Sequence, residues 1–500
     1  MKDTGEDERP PGRTGLMEYE PRRGSIKRHL LPAWFDDAKL GIMVTWGPYS
    51  VPAFAPTGRG NIVDIIRREG IPALYANQPY AEWYLNSLRI EGSPVYRHHI
   101  SRYGADYSYD GFAGKFNTAL DLWDPADWAG LFRESGAGYV VLIAKHCDGF
   151  LLWPSALRHP HKSDWTANRD VVGELTSAVR EYGMRMGLYY SSALDWSFTE
   201  QPMRDAADLV ASGPADRRYA DYVDFHWREL IDRYEPSVLW GDVGYPPGTN
   251  LFSLFAYYYN RIPDGVVNDR WSQVPVFARR VIRSPLGRFI TERAARRMFL
   301  KGMAAPGAPH CDYTTPEYVA LPGPAVRKWE CVRGIGRSFS YNAEETETDY
   351  ASVAELIHLL VDVVSKNGNL LLGVGPTAEG RIPEPQRERL LGLGEWLSVY
   401  GEALFKTKPW SRAETETRDG IGVRFTRRSA SLYAIALGQP ADAELAIRSV
   451  RPPDGAHVRL LGVEGDLTWR QEGEDLVVTL PENQGETPAL ALRITPPPEN

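Results

Sequence analysis

Seven short apolar runs recur along the first four hundred residues, and each ends in a cluster of polar or aromatic side chains. They are LGIMVTWG (40–47), YVVLIAKHCDGF (139–150), MGLYYSSALDW (186–196), SVLWGDVG (237–244), GVVNDRW (265–271), WECVRGIGRSFSYN (329–342) and GNLLLGVGP (368–376). Their apolar residues are continuous rather than alternating, the pattern of strands buried on both faces of a parallel sheet. Helical patterns fall between them. Asp124-Pro125 offers an N-cap and a first-turn proline, with Asp127 in that turn. Val172, Leu175 and Val179 share one helix face, which Gly183 closes at a C′ position. Further helices are predicted over 217–234, 352–366 and 385–400. This alternation leaves two architectures, a (β/α) barrel or a doubly wound sheet.

The ends of the runs decide between them. Trp46, His146, Tyr190, Asp242 and Arg270 stand at or near the carboxyl ends of five different runs, and Glu330 lies in a sixth. A barrel draws its site from many strand ends, whereas a doubly wound sheet concentrates it at one switch point. No GxGxxG or GxxxxGK[ST] follows a strand; RGIG (333–336) and GVG (373–375) are too short to count. The expected fold is α/β, a (β/α)8-like barrel of TIM type. After Trp410 the texture changes to short alternating runs such as SLYAIAL, DLVVTL and PALALRIT, which predict a C-terminal antiparallel β-sandwich. The chain thus divides into a flexible N-terminal tail (1–24), a barrel domain (25–410) and a sandwich domain (411–500).

Composition narrows the partners. The net charge is −8 and no basic block stands out, which argues against nucleic acid. Three cysteines, Cys147, Cys311 and Cys331, are too few and too scattered for a disulfide framework or a zinc knuckle. The first 24 residues lack the apolar core of a secretory signal, and no run approaches the ~18 apolar residues of a membrane span. A cytoplasmic protein with no membrane partner is expected, and a homo-oligomer is allowed. Aromatic residues make up 11% of the chain, a supply of flat faces on which sugar rings stack.

Asp242, directly after SVLWG and flanked by Gly241 and Gly244, suits a nucleophile as well as a loop cap. Glycoside hydrolysis takes two carboxylates, and the residues alone offer Glu317, Glu330 and Asp195 as the second. Arg270 in NDRW can hold a carboxylate or form a structural salt bridge. His146 can bond a hydroxyl at the pocket mouth. The other histidine pairs, His98-His99 and His159/His161, lie in polar loops, so no metal site and no cofactor are expected. Cys147 has no evident base beside it and reads as a buried thiol.

These segments, together with WFDDAKLGIMVTWGPYSVPAF, AEWYLNSL, YEPSVLWGDVG, YYYNRIPDGVVNDRW and LVDVVSKNGNLLLGVGPTAEGRIP, resemble the α-L-fucosidases of glycoside hydrolase family 29 in colinear order over roughly residues 30–410. The resemblance implies Asp242 as nucleophile and Glu317, within DYTTPEY, as acid/base. It implies Glu82, Trp83, His146, Arg270 and Tyr189 or Tyr190 as sugar-binding residues, with Trp240 as an apolar wall. The substrate it implies is an α-L-glycoside, small or oligosaccharide, cleaved with retention at its terminal sugar.

Two departures stand out. Where the family reads HWG, this chain has Thr45-Trp46-Gly47, and where it reads KHHDGF, this chain has Cys147 after His146. With Trp46 retained and two imidazoles replaced by Thr45 and Cys147, the expected glycone widens from α-L-fucose to α-L-galactose or α-L-glucose. The rival expectation is a non-catalytic sugar-binding protein on the same scaffold. The 46 residues between Arg270 and Glu317 also carry an insert, 279–302, with eight Arg and Lys. It reads as a solvated surface helix or as a lid or subunit contact beside the site.

Overall fold

The computed structural model describes residues 18–302, 307–481 and 485–498. Seven parallel strands follow the seven apolar runs: β1 Leu40–Val44, β2 Tyr139–Lys145, β3 Arg185–Ser191, β4 Val238–Asp242, β5 Val266–Val267, β6 Trp329–Gly334 and β7 Gly368–Val374. Their order is β5-β4-β3-β2-β1-β7-β6, so consecutive strands are neighbours through most of the sheet. All residues of β1, β2 and β7 are buried, as their unbroken apolar character requires. Helices form where the patterns predict them, over Arg217–Tyr234, Val353–Ser365 and Glu384–Tyr400. Asp124 caps Pro125–Glu134 by accepting from the Ala126 amide.

Among the described residues, the eighth position of the barrel holds no regular strand. β5 and β6 do not pair, and an extended segment, 312–318, spans the gap. The Asp312 N–H donates to the Val267 carbonyl at 2.9 Å, and the Glu330 N–H donates to the Thr314 carbonyl at 2.8 Å. Glu317 and Val332 form a parallel bridge, so the segment that closes the barrel also carries Glu317. β5 is far shorter than its run because the Asn268 side chain takes over the pairing. Its amide accepts from the Gly241 N–H at 3.0 Å and donates to the Gly241 carbonyl at 2.9 Å. The main chain is thereby released from the sheet just before Asp269 and Arg270.

Of the expected flexible tail, residues 1–17 lie outside the described residues. The remainder is anchored: the Tyr19 N–H donates to Asn260 Oδ1 at 2.7 Å and its ring lies 5.4 Å from that of Tyr259. A helix starts at Arg23. The described residues ahead of residue 25 are thus tied to the barrel through Tyr19.

The C-terminal strands form two antiparallel sheets. One has the order β12-β15-β10-β9-β8 and the other β11-β14-β13. They run from β8 Lys408–Glu416 through β9 Gly422–Arg428, β10 Ser431–Ala436, β11 Glu444–Ile447, β12 His457–Leu460, β13 Trp469–Glu472 and β14 Asp475–Thr479 to β15 Leu490–Thr495. Their inward side chains, Phe425, Leu432, Val478 and Leu492 among them, make a core separate from that of the barrel. The Trp396 indole donates to the Ala489 carbonyl at 2.9 Å, and Arg424 pairs with Asp362 at 2.5 Å, which fix the sandwich to the barrel helices. No described helix is long and apolar enough to cross a membrane.

The insert folds as two helices, Val276–Ile282 and Pro285–Phe299, the second capped by Ser284. One face is exposed, with Phe277 at 77% and Phe289 at 58%. The opposite face is clamped to the barrel. Arg288 bridges Asp205 and Asp208, and Arg296 donates to the Arg67 carbonyl at 3.2 Å. The insert is a pair of surface helices held against the barrel.

Candidate active site

A cavity of about 770 Å³ opens at the carboxyl ends of the barrel strands. Asp242, the last residue of β4, lies beside Arg270 and Glu317 in its wall. Arg270 donates from Nη1 to Asp242 Oδ1 at 3.2 Å and from Nη2 to Glu317 Oε2 at 3.1 Å. One guanidinium fork thus spans both carboxylates. The second oxygen of each is also engaged: the Tyr189 hydroxyl donates to Asp242 Oδ2 at 2.7 Å, and the Tyr80 hydroxyl donates to Glu317 Oε1 at 2.6 Å. Arg270 is itself held by the Thr315 hydroxyl at 3.0 Å and the Thr315 carbonyl at 3.1 Å. Burial disfavours its charge, but the Asp242 and Glu317 carboxylates outweigh that and raise its pKa, so it stays a cation.

The backbone is strained at both carboxylates. Val243 and Tyr318, each directly after one of them, have φ of 53° and 55°. Left-handed φ costs a non-glycine residue about 1–3 kcal/mol, and such strain clusters at functional sites. On the Glu317 side the strain is contained by Gly302, at φ 74°, whose carbonyl accepts the Glu317 N–H at 2.8 Å.

Aromatic rings line one wall. Trp240 and Tyr189 stack at 5.3 Å, His146 continues the stack at 6.2 Å from Tyr189, and the Arg270 guanidinium lies 4.7 Å from the Trp240 ring centre. Thr45, Glu82, Trp83, His146, Tyr189, Trp240, Asp242, Arg270 and Glu317 all line the cavity. Glu82 is fixed by the loop after β6: its Oε2 accepts from the Ser340 N–H at 3.1 Å and from the Ser338 and Ser340 hydroxyls. Burial pushes its carboxyl up to about 7, against these hydrogen bonds. Burial likewise pushes the His146 imidazole down to about 3, with Asp242 opposing, so the ring is neutral near pH 7. The His146 Nδ1 and Thr45 Oγ1 atoms are buried without a hydrogen-bond partner among the described residues. Such orphans are costly unless a ligand satisfies them.

Three expected site residues do not reach the cavity, and strand alternation explains two. Successive side chains of a strand point to opposite faces. With Thr45 facing inward, Trp46 faces outward, where it packs against Phe116 at 4.9 Å and Trp128 at 5.0 Å and donates to the Thr377 carbonyl. With Tyr189 inward, Tyr190 points to the helix layer and bonds His226 Nδ1 at 3.0 Å. Cys147 turns its thiol onto the Ser191 hydroxyl at 2.9 Å, and burial raises its pKa. The other candidate carboxylates also have structural partners. Glu330 lies under the wall, accepting from the Trp240 indole at 3.1 Å and from the Tyr139 hydroxyl. Asp195 forms a fully buried pair with Lys145 at 2.9 Å.

Sequence reasoning missed Tyr80, Gln78, Phe339 and Phe299, all of which line the cavity. Tyr80 and Gln78 stand in NQPYAEW, two and four residues before Glu82, so the segment itself was the available signal. Phe299 belongs to the insert, which no motif marks.

Residues 13–402 match the family model described as alpha-L-fucosidase, and residues 417–495 match the alpha-L-fucosidase C-terminal domain. The crystal structure of Thermotoga maritima alpha-fucosidase in complex with fucose is similar with a TM-score of 0.80 and 41% identity, covering 95% of this chain and 100% of that one. The alpha-L-fucosidase of Dictyostelium discoideum is 31% identical over 468 residues, which is 90% of this chain and 87% of that protein. The tissue alpha-L-fucosidase of Bos taurus is 32% identical over 486 residues, 94% of this chain and 88% of that protein.

Proposed function

The chain belongs to the alpha-L-fucosidase family of glycoside hydrolases, and we propose that it releases a terminal α-L-fucose, or a closely related α-L-sugar, with retention of configuration. The observation that carries this reading is the single guanidinium fork between Asp242 and Glu317. Retention needs carboxyl groups about 5–5.5 Å apart, and inversion needs ~6.5–9.5 Å to admit a water. Two carboxylates hydrogen-bonded to neighbouring nitrogens of one guanidinium suit the shorter separation.

In the first step Asp242 attacks the anomeric carbon while Glu317 delivers its proton to the leaving oxygen. In the second, Glu317 takes a proton from water, which displaces Asp242 from the glycosyl ester. Arg270 gives the cycle its charge balance. Before attack, Asp242 is the anion and Glu317 holds the proton; after it, Asp242 is a neutral ester and Glu317 is the anion. The fork touches both, so either state presents one cation with one carboxylate. Tyr189 and Tyr80 supply the second hydrogen bond to each. A purely sugar-binding protein has no use for two carboxylates sharing a cation, and that reading is not favoured.

Thr45 supplies a short hydroxyl to the cavity lining and Cys147 none, so the glycone is held by fewer directed bonds than two imidazoles would give. A site lacking such partners discriminates weakly, about 10²-fold or less. The 4-nitrophenyl α-L-fucoside, α-L-galactoside and α-L-glucoside, assayed side by side, are therefore expected to fall within that range of kcat/KM. A fucoside preference of ~10⁴-fold or more would restrict the glycone to L-fucose.

Glu82 makes a second expectation. A sugar hydroxyl donating to its carboxylate favours the ionised form, so the carboxyl ionises more readily in the complex than at its free value of about 7. L-Fucose binding should then weaken as pH falls below about 7, approaching tenfold per pH unit, and flatten in Glu82→Gln. Calorimetry from pH 5.5 to 8 reads this directly. A pH-independent affinity in the unsubstituted enzyme would remove Glu82 from the sugar contacts.

A further inference from the structure

From the cavity wall beside Glu317 we infer an apolar leaving-group subsite, and with it a substrate class: α-L-glycosides of compact apolar alcohols rather than of a second sugar. The inference rests on the α-L-glycosidase reading. In that mechanism the nucleophile and the acid lie on opposite sides of the anomeric carbon, so the aglycone departs on the side of Glu317. That side is built by segments outside the barrel strands. Phe299 ends the insert's second helix, its carbonyl accepts the Gly302 N–H at 2.8 Å, and the Gly302 carbonyl holds the Glu317 amide at 2.8 Å. Phe299 is therefore tied to the acid through three residues of chain.

Leu209 comes from Ala206–Ala211, the helix that Arg288 clamps to the insert through Asp208 at 2.7 Å. Ile62, Leu74 and Tyr75 come from the helices Ile62–Glu69 and Ile71–Ala76, and all five residues line the same cavity. The polar atoms on this wall are few: the Tyr75 hydroxyl and the amide of Gln78, whose Oε1 is buried without a partner among the described residues. A sugar aglycone would bring several hydroxyls out of water against those groups, and each unpaired one costs binding. An alkyl or terpenoid alcohol brings none. Its burial against Phe299, Leu209, Ile62 and Leu74 is favourable.

The test uses thioglycosides, which bind without turning over and share one glycone. S-Methyl and S-hexyl α-L-thiofucoside and a thio-linked α-L-fucosyl-(1→2)-galactose are titrated into the full-length enzyme by calorimetry. The S-hexyl compound is expected to bind about 10- to 100-fold tighter than S-methyl, a part of what five fully buried methylenes allow. Its heat-capacity change should be the more negative. Phe299→Ser combined with Leu209→Ser should bring the S-hexyl to S-methyl ratio towards one. Equal affinity of the two alkyl compounds, or tighter binding of the disaccharide, would overturn the apolar subsite while leaving the glycone reading intact. Failure of all three to bind would overturn the fucoside reading itself.

Discussion

Replacing Asp242 with glycine is expected to lower kcat/KM by about 10⁵-fold or more, the scale seen when the nucleophile of a concerted catalytic unit is removed. Neither of the remaining carboxylates that the sequence offered can take its place. Glu330 is locked under the wall by Trp240 and Tyr139, and Asp195 is paired with Lys145 behind it. The substitution leaves a vacated volume into which Arg270 Nη1 and the Tyr189 hydroxyl still point, since both now donate to Asp242. That is a cradle for a small anion. Azide added with an activated α-L-fucoside should therefore restore turnover and give the glycosyl azide of inverted anomeric configuration, identified by NMR. A loss below 10²-fold, with no azide adduct, would mean that Asp242 is not the nucleophile and would revive the sugar-binding alternative.

Much of this arrangement was legible in the sequence, for a physical reason. Strands of a parallel sheet must be apolar throughout, so the seven runs announced themselves, and a barrel must collect its chemistry at strand ends, which pointed to His146, Asp242 and Arg270. What sequence alone blurred was phase. Trp46 and Tyr190 are as capable as Thr45 and Tyr189, and only the alternation of faces sends the first pair to the helix layer. The closing segment was equally hidden. Residues 312–318 make isolated bridges rather than a strand, so no apolar run marks the stretch that delivers Glu317. Cys147 shows a third limit: a thiol has no strong directional demand, so its turn towards Ser191 follows from local packing rather than from residue type.

Arg270→Met tests the electrostatics of the pair and is expected to be nearly as damaging as loss of the nucleophile. The side chain is 5% exposed and makes four hydrogen bonds, two of them to carboxylates. Removing one partner of a buried ion pair costs about 3–5 kcal/mol because the remaining charge is left uncompensated, so the melting temperature should drop by several degrees. Activity should fall by about 10³- to 10⁴-fold at neutral pH, since the two carboxylates are left facing each other without a cation. Like charges in one site raise the pKa of one member. The group that must be ionised to attack then becomes harder to ionise, and the acid limb of the kcat/KM profile should move to higher pH by about two units. A merely structural arginine would lower stability and amplitude but leave that limb in place. Arg270→Lys separates charge from shape: an ammonium can neutralise one carboxylate but cannot fork between two. It should recover part of the limb's displacement while leaving most of the rate unrecovered, because the positive charge must stay with Asp242 before attack and with Glu317 after it.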